Sequence, residues 1–568
     1  VSESIPVGRV IGTDPATPLE FWVAVADGAF LQLDDVVVVE RLLPGAADPI
    51  RIYGMVADLR VRHEGARFDS DVFLIEEGVL PAQVTEAAKV LATRFEPEVF
   101  VPPVPGQLVR KAVGKEREEA LFFDGMERRM PVGLSRDGEV VHANVEFLDG
   151  TRGAHVNISG VSGVATKTSY AVFLLHSLFT SGQLGDGAHN TKALIFNVKG
   201  DDLLFLDKRN RHLDGEQAAR YAALDLPAQP FGSVELWAPP RPGDPSAAPR
   251  TGSRSEGVTS FFWTLSDFCQ DELLPFLFAD AEDERQQYTI VVHNVTARLR
   301  RDARPLDDGG VRVAGTTCRT FGDLIEAIRE RVEDPADQPD WAGRSIGGGT
   351  INAFVRRLYA ARRDAEHLVR GDVPNPDKHR IGMQEQLTVV DIAKLSRRAQ
   401  RFVVGVVLRK TFQDKEETGA REPLLFVVLD ELNKYAPRDG RSPIKEILLD
   451  MAERGRSLGV ILIGAQQTAS EVERRVIANS SLRVAGRLDS AEAGRPEYAF
   501  LPTAHRQRAT ILKPGTMILS QPELPVPLVL EFPFPAWATR PDEAGDAGGG
   551  EGETGSGGGD PFEGLGSW

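Results

Sequence analysis

The chain has 568 residues, enough for about three or four domains and a large core. Its 42% hydrophobic and 26% charged residues are those of an ordinary globular protein, and a formal net charge of −17 argues against one that coats nucleic acid non-specifically. A ring with a basic lumen and an acidic exterior gives the same sum, so DNA handling is not excluded. No apolar run reaches the ~20 residues of a membrane span, and no signal-peptide pattern precedes Gly8. Cys269 and Cys318 have neither metal-ligand spacing nor a disulfide framework, and the expected location is a reducing cytoplasm.

Residues 1–105 read as an N-terminal β-barrel. Val7–Ile11, Phe21–Val25, Asp35–Glu40, Ile50–Val56 and Val72–Ile75 are Val/Ile-rich strands between Gly, Pro and Asp turns. A short helix is expected over Pro81–Thr93 and a strand over Glu98–Val101. No catalytic constellation occurs here, which points to a docking or assembly module.

From Gly106 strands are followed by helices, and residues 106–260 read as the first part of an α/β domain. His155–Ile158 is a strand that runs into Gly160-Val-Ser-Gly163-Val164-Ala165-Thr166-Lys167-Thr168-Ser169 and then an apolar helix. Strand, glycine turn, Lys-Thr and helix is the context of a phosphate-binding loop, whose backbone N–H groups and helix N-terminus favour anions. The pattern G-x-x-x-x-G-K-[ST] places glycines at 161 and 166, where this chain has Val161 and Thr166. A plain Gly-Ser turn before a buried helix is the alternative. Ala193–Val198 is a buried strand ending in Lys199-Gly-Asp-Asp202, where open α/β sheets place either ligands or a capped turn. Residues 210–260 read as a peripheral excursion with one strand, Ser233–Trp237.

Residues 261–385 turn helical, with i, i+3, i+4 apolar spacing over Phe261–Ala279, Phe321–Arg331 and Thr350–Leu368. Arg356, Arg357, Arg362 and Arg363 on the last form a solvated face or a nucleic-acid stripe. Ser345–Gly349 is glycine-rich and reads as a loop. Residues 386–540 return to strand-then-helix order, with strand Leu387–Ile392, helix Arg397–Asp414, and the apolar strand that ends at Asp430-Glu431. Such a run is a central strand buried on both faces. Its two carboxylates suit metal support (Asp430) and activation of a water (Glu431). A helix over Ile444–Arg456 leads to the strand Gly459–Ile463 and then Gln466-Gln467. A polar amide there is placed to sense a terminal phosphate. Arg454 and Arg456 either complement the helix dipole or present charge to a neighbouring subunit. Asn479–Ala485 and Gly515–Ser520 are expected to close the sheet. Residues 541–568 are Gly- and acid-rich and read as a disordered tail, with Phe562, Leu565 and Trp568 near its end.

Over residues 5–540 the chain resembles the HerA family of hexameric DNA translocase ATPases, relatives of the FtsK-type motors. The residues that carry the likeness are Gly160–Thr168, the strand ending Asp430-Glu431, and Glu453–Gln467. The resemblance implies a RecA-like motor with a helical insertion, preceded by a HAS-type barrel. It also implies ATP and Mg²⁺ as cofactors. Gly160, Gly163, Val164, Ala165, Thr166, Lys167, Thr168 and Ser169 are then the nucleotide loop, with Thr168 and Asp430 supporting metal. Glu431 activates water, Gln467 is the sensor, and Arg456 and Arg152 act across the subunit interface. The implied partners are five further copies in a homo-hexamer, double-stranded DNA in the ring, and a NurA-type nuclease on the barrel. The implied role is DNA-end resection and repair. Some relatives instead serve as scaffolds for nuclease or sirtuin-like effectors in anti-phage defence.

Overall fold

The computed structural model describes residues 6–64, 66, 68–161, 167–254, 256–278, 286–307 and 309–545. The chain opens with β1 (Pro6–Val10), β2 (Glu20–Val25), β3 (Val36–Arg41), β4 (Ile50–Glu64), the short helix α1 (Asp71–Glu76), β5 (Gln83–Glu96) and β6 (Leu108–Lys111). These strands form a closed barrel in the order β1-β2-β5-β4-β3-β6. Val37, Val39, Ile52, Val56, Val90 and Val109 fill its interior from alternate strand positions.

Three local expectations are corrected here. Pro81–Thr93 is not a helix, because Gln83–Glu96 pairs with β4 from Arg51↔Glu96 to Glu64↔Gln83. Val72–Ile75 is not a strand but lies in α1, none of whose residues is buried. Glu98–Val101 is outside any strand. The far halves of β4 and β5, with α1, form an arm extending beyond the barrel wall, on which Val61, Phe68, Phe73, Val79 and Val84 are exposed.

The second unit is built on β7 (Arg129–Leu134), β8 (Val140–Asn144), β9 (Val156–Ser159), β10 (Lys192–Asn197), β11 (Val234–Ala238), β12 (Val258–Ser260), β13 (Leu387–Asp391), β14 (Leu425–Asp430), β15 (Val460–Gln466), β16 (Leu482–Ala485), β17 (Thr516–Ser520) and β18 (Leu528–Glu531). They form one sheet in the order β12-β11-β13-β10-β14-β15-β9-β16-β17-β18-β7-β8. Pairing is parallel from β12 to β16 and antiparallel beyond it. The strand Ser233–Trp237 is therefore part of the main sheet, through β11–β13, rather than a peripheral element.

The principal helices are α2 (Lys167–Thr180), α3 (Gln286–Asp302), α4 (Phe321–Glu333), α5 (Gly348–Ala365), α6 (Arg397–Thr418) and α7 (Pro443–Leu458). Strand β14 is apolar throughout because both faces are covered. Phe426 and Val428 join the cluster containing α2 residues such as Leu174 and Leu175. Val427 and Leu429 join the cluster of Phe402 on α6, Leu448 on α7, and Ile325 and Phe354 on the helices between β12 and β13. Gly348 and Gly349, expected in a loop, begin α5, and Phe261–Ala279 splits into shorter pieces around Leu265–Gln270 and Leu274–Phe278. At the carboxyl terminus, Ala544–Gly545 still pairs with Arg209–Asn210, so the expected tail starts later than 541. Residues 546–568, including Phe562, Leu565 and Trp568, lie outside the described residues.

Candidate functional site

Strand order brings the sequence candidates together. The strand ending in Asp430 (β14) and the strand feeding the glycine turn (β9) flank β15, which ends in Gln466. All three run parallel, so Ser159, Asp430 and Gln466 lie at one carboxyl edge. That is where ligands sit in open α/β sheets. This is the RecA-like arrangement, with the glutamine strand inserted between the loop strand and the acid strand.

Lys167 and Thr168 open α2, and Lys167 is buried. Thr168 Oγ1 donates to Asp430 Oδ2 at 3.0 Å, and the Glu431 N–H donates to Asp430 Oδ1 at 2.8 Å. Gly160 and Val161 are fixed by N–H donations to the carbonyls of Gln466 (3.1 Å) and Arg487 (2.8 Å). Gly163, Val164, Ala165 and Thr166 lie outside the described residues. Ser169 is half-buried on the first turn of α2.

Glu431 occupies the left-handed region at φ 57°, a costly conformation for a residue with a side chain. Its carboxylate is buried, with Lys199 paired to Oε1 and Lys434 to Oε2. Burial pushes the Glu431 carboxyl up, and hydrogen bonds and charge from Lys199 and Lys434 more than offset this, leaving it below the ordinary range. Burial lowers Lys167, Asp430 and Glu431 raise it, and Lys199 lowers it further; the net shift is downward. Three ammonium groups thus face two carboxylates at this edge. Lys199 and Lys434 were missed as site residues. The turn Lys199–Asp202 at a strand's carboxyl end was the signal for the first, and nothing marked the second.

The two glutamines differ. Gln466 is fully buried, and its Nε2 donates to Asn157 Oδ1 (2.9 Å) and Ser159 Oγ (2.8 Å), stitching β15 to β9 beneath the loop. Gln467, the expected sensor, is exposed at the edge itself.

Arg152 and Arg456 are not at this edge. Arg456 precedes β15, whose seven residues span about 20 Å. Its guanidinium donates to the carbonyls of Gly150 (Nε, 3.0 Å) and Thr151 (Nη2, 2.7 Å), in the turn before β9. Arg152, on the same turn, pairs with Glu523 and lies 4.8 Å over the Phe147 ring. Arg454 pairs with Glu416 at 2.8 Å. Both candidates therefore occupy the amino edge of the sheet, opposite the loop.

The residues fit a nucleotide with a hard divalent ion. Thr168 Oγ1 and Asp430 Oδ2, 3.0 Å apart, have the spacing of adjacent ligands on an octahedral ion with ~2.1 Å bonds. Among the described residues no group of three His, Cys, Asp or Glu side chains could hold a metal alone. Mg²⁺ keeps waters and takes phosphate oxygens, so one or two protein ligands such as Thr168 and Asp430 suffice to anchor it.

No protein-family model and no curated protein matches the chain. Solved structures do. VirB4 of Thermoanaerobacter pseudethanolicus aligns over 74% of this chain and 98% of its own, at 15% identity and TM-score 0.45. The plasmid coupling protein TrwB, in complex with a non-hydrolysable GTP analogue, aligns over 76% and 96% at 11% identity and TM-score 0.44. The genome packaging NTPase B204 from Sulfolobus turreted icosahedral virus 2, in complex with ATP-gammaS, aligns over 26% and 70% at 12% identity and TM-score 0.21. Scores this low establish no family, and the site is read from its own geometry.

Proposed function

We propose that the chain is a Mg²⁺-dependent ATPase of the HerA type, working as a homo-hexameric ring that moves double-stranded DNA. The Thr168–Asp430 hydrogen bond carries this reading, because it joins the loop helix to the acid strand across the glutamine strand. Lys167 neutralises the outer phosphates, and Thr168 and Asp430 hold Mg²⁺, which neutralises phosphate charge when bound. Glu431 orients and deprotonates the attacking water, and Gln467 senses the terminal phosphate. Arg456 and Arg152, at the amino edge, serve a neighbouring copy's nucleotide.

The barrel is the docking surface for a NurA-type nuclease in end resection and repair. Leu19, Leu42, Phe100, Val104 and Leu108 are exposed on it, as a partner-binding module requires. A second reading, an ATP-binding scaffold that switches a nuclease or sirtuin-like effector in anti-phage defence, is favoured by Glu431. A carboxylate held by two lysines is poorly placed to act as a base.

ATP turnover with and without long duplex DNA separates the two. The motor reading expects stimulation that falls steeply with salt, since the contacts are to phosphates. The scaffold reading expects slow, DNA-independent turnover. In the motor reading Glu431→Gln should retain ATP binding and lose turnover, and unchanged turnover would remove Glu431 from the chemistry.

A further inference from the structure

Lys199 follows β10, on the side of the acid strand away from the glycine turn. Its side chain is half-exposed, yet its ammonium reaches across to Glu431 Oε1. Lys434, from the turn Leu432–Lys434 after the acid strand, occupies Glu431 Oε2. The carboxylate assigned to water activation therefore has a cation on each oxygen. It would have to give one up before it could accept from a water.

A triphosphate supplies the competitor. Its inner phosphates belong at the α2 N-terminus, beside Lys167 and Thr168. The end of the chain of phosphates then points along the edge toward β14, where Glu431 and Lys199 meet. A terminal phosphate carries more negative charge than one carboxylate and offers three acceptor oxygens. The ammonium of Lys199 lies on a flexible four-carbon stem and needs only a side-chain rotation to change partner.

We infer that Lys199 is a ligand for the terminal phosphate of the nucleotide, and that Glu431 holds it in reserve until that phosphate arrives. Transfer of Lys199 does two things together. It adds a second lysine, beside Lys167, to the triphosphate and frees Glu431 Oε1 to accept from the attacking water. Diphosphate cannot trigger the transfer, because it leaves that position empty. Lys434, one turn from Glu431 on the same segment, stays and keeps the carboxylate ionised.

This rests on the ATP-site reading, and its test uses equilibrium binding instead of turnover. The full chain, with Mg²⁺, is titrated with a non-hydrolysable imido-triphosphate and separately with ADP. The variants are Lys199→Ala, Lys199→Arg, Glu431→Gln and the double variant Lys199→Ala/Glu431→Gln. Lys199→Ala should weaken the triphosphate analogue by about tenfold and leave ADP unchanged. Lys199→Arg should retain most of the analogue affinity. Glu431→Gln removes the competing charge and should tighten the analogue by about tenfold. That gain should vanish in the double variant, because there is no lysine left to release. An equal effect of Lys199→Ala on both nucleotides, or an undiminished Glu431→Gln gain in the double variant, would overturn the assignment alone. Failure of the wild-type chain to bind either nucleotide would overturn it together with the ATP reading.

Discussion

Gln466 and Gln467 are adjacent in sequence and opposite in environment. Gln466 is sealed between β15 and β9, where removing its amide takes away the Nε2 donor to Asn157 Oδ1 and Ser159 Oγ. Gln466→Ala should therefore lower stability by about 1–3 kcal/mol, read as a fall in melting temperature. Gln467 is exposed, so Gln467→Ala should leave the melting temperature unchanged while reducing ATP turnover. The reverse pattern would exchange their roles. The sequence placed both at a strand end, because six apolar residues followed by amides read plainly as a buried strand reaching its edge. It could not say which amide points inward, since that depends on the pleat set by pairing with β9. The Glu431 backbone at φ 57° was equally illegible, because glutamate, unlike glycine or asparagine, gives no sign of a left-handed position.

At the scale of elements, the acid strand and its neighbours were legible because local pattern and tertiary environment agree. Helix α7 shows this: Ser442 accepts from the Lys445 N–H, Pro443 takes the first turn, and Gly459 ends the helix at φ 69°. A Cβ at Gly459 would meet the Arg421 carbonyl at 1.8 Å, so the tight passage into β15 demands glycine. The arm strand β5 failed the same test. Val84, Ala87, Ala88 and Leu91 carry helical spacing, but pairing with β4 overrides it. The end of α7 also bears a prediction. Arg456 is fastened to the turn 150–151, and Arg421 Nη2 donates to Thr151 Oγ1 at 2.9 Å. If Arg456 serves a neighbour's nucleotide, Arg456→Ala should reduce turnover by about 10³–10⁵-fold. Mixing with Lys167→Ala subunits should then restore activity at interfaces that pair an intact arginine with an intact loop. A purely structural Arg456 would give a lower melting temperature and no recovery on mixing.

Across the whole molecule, buried histidines set the response to acid. His155 joins β9 to β15 by accepting the Leu462 N–H on Nδ1 at 2.9 Å, and His176 lies among Tyr221, Phe231 and Trp537 with Nε2 on the Gln229 carbonyl at 3.0 Å. Burial pushes both down to about 4 from 6.5, and His142, His367 and buried His505 shift the same way. The unfolded chain therefore takes up protons below about pH 6.5 that the folded chain refuses until about pH 4. Stability must fall as pH drops through that window, by up to about 1.4 kcal/mol per pH unit for each fully buried histidine. Asp391 acts in the opposite sense. Burial raises it to about 6, so between 3.8 and 6 the folded chain holds a proton the unfolded chain has lost, and stability rises on acidification. Burial also raises Asp202 and Asp271, but the three buried histidines His155, His176 and His505, together with half-buried His142 and His367, outweigh the three aspartates. The melting temperature of the nucleotide-free protein should drop steadily from pH 7 to 4.5, and His155→Gln should flatten the slope while lowering the value at pH 7. A melting temperature that climbs on acidification would show that the buried aspartates, and not the histidines, govern the transition.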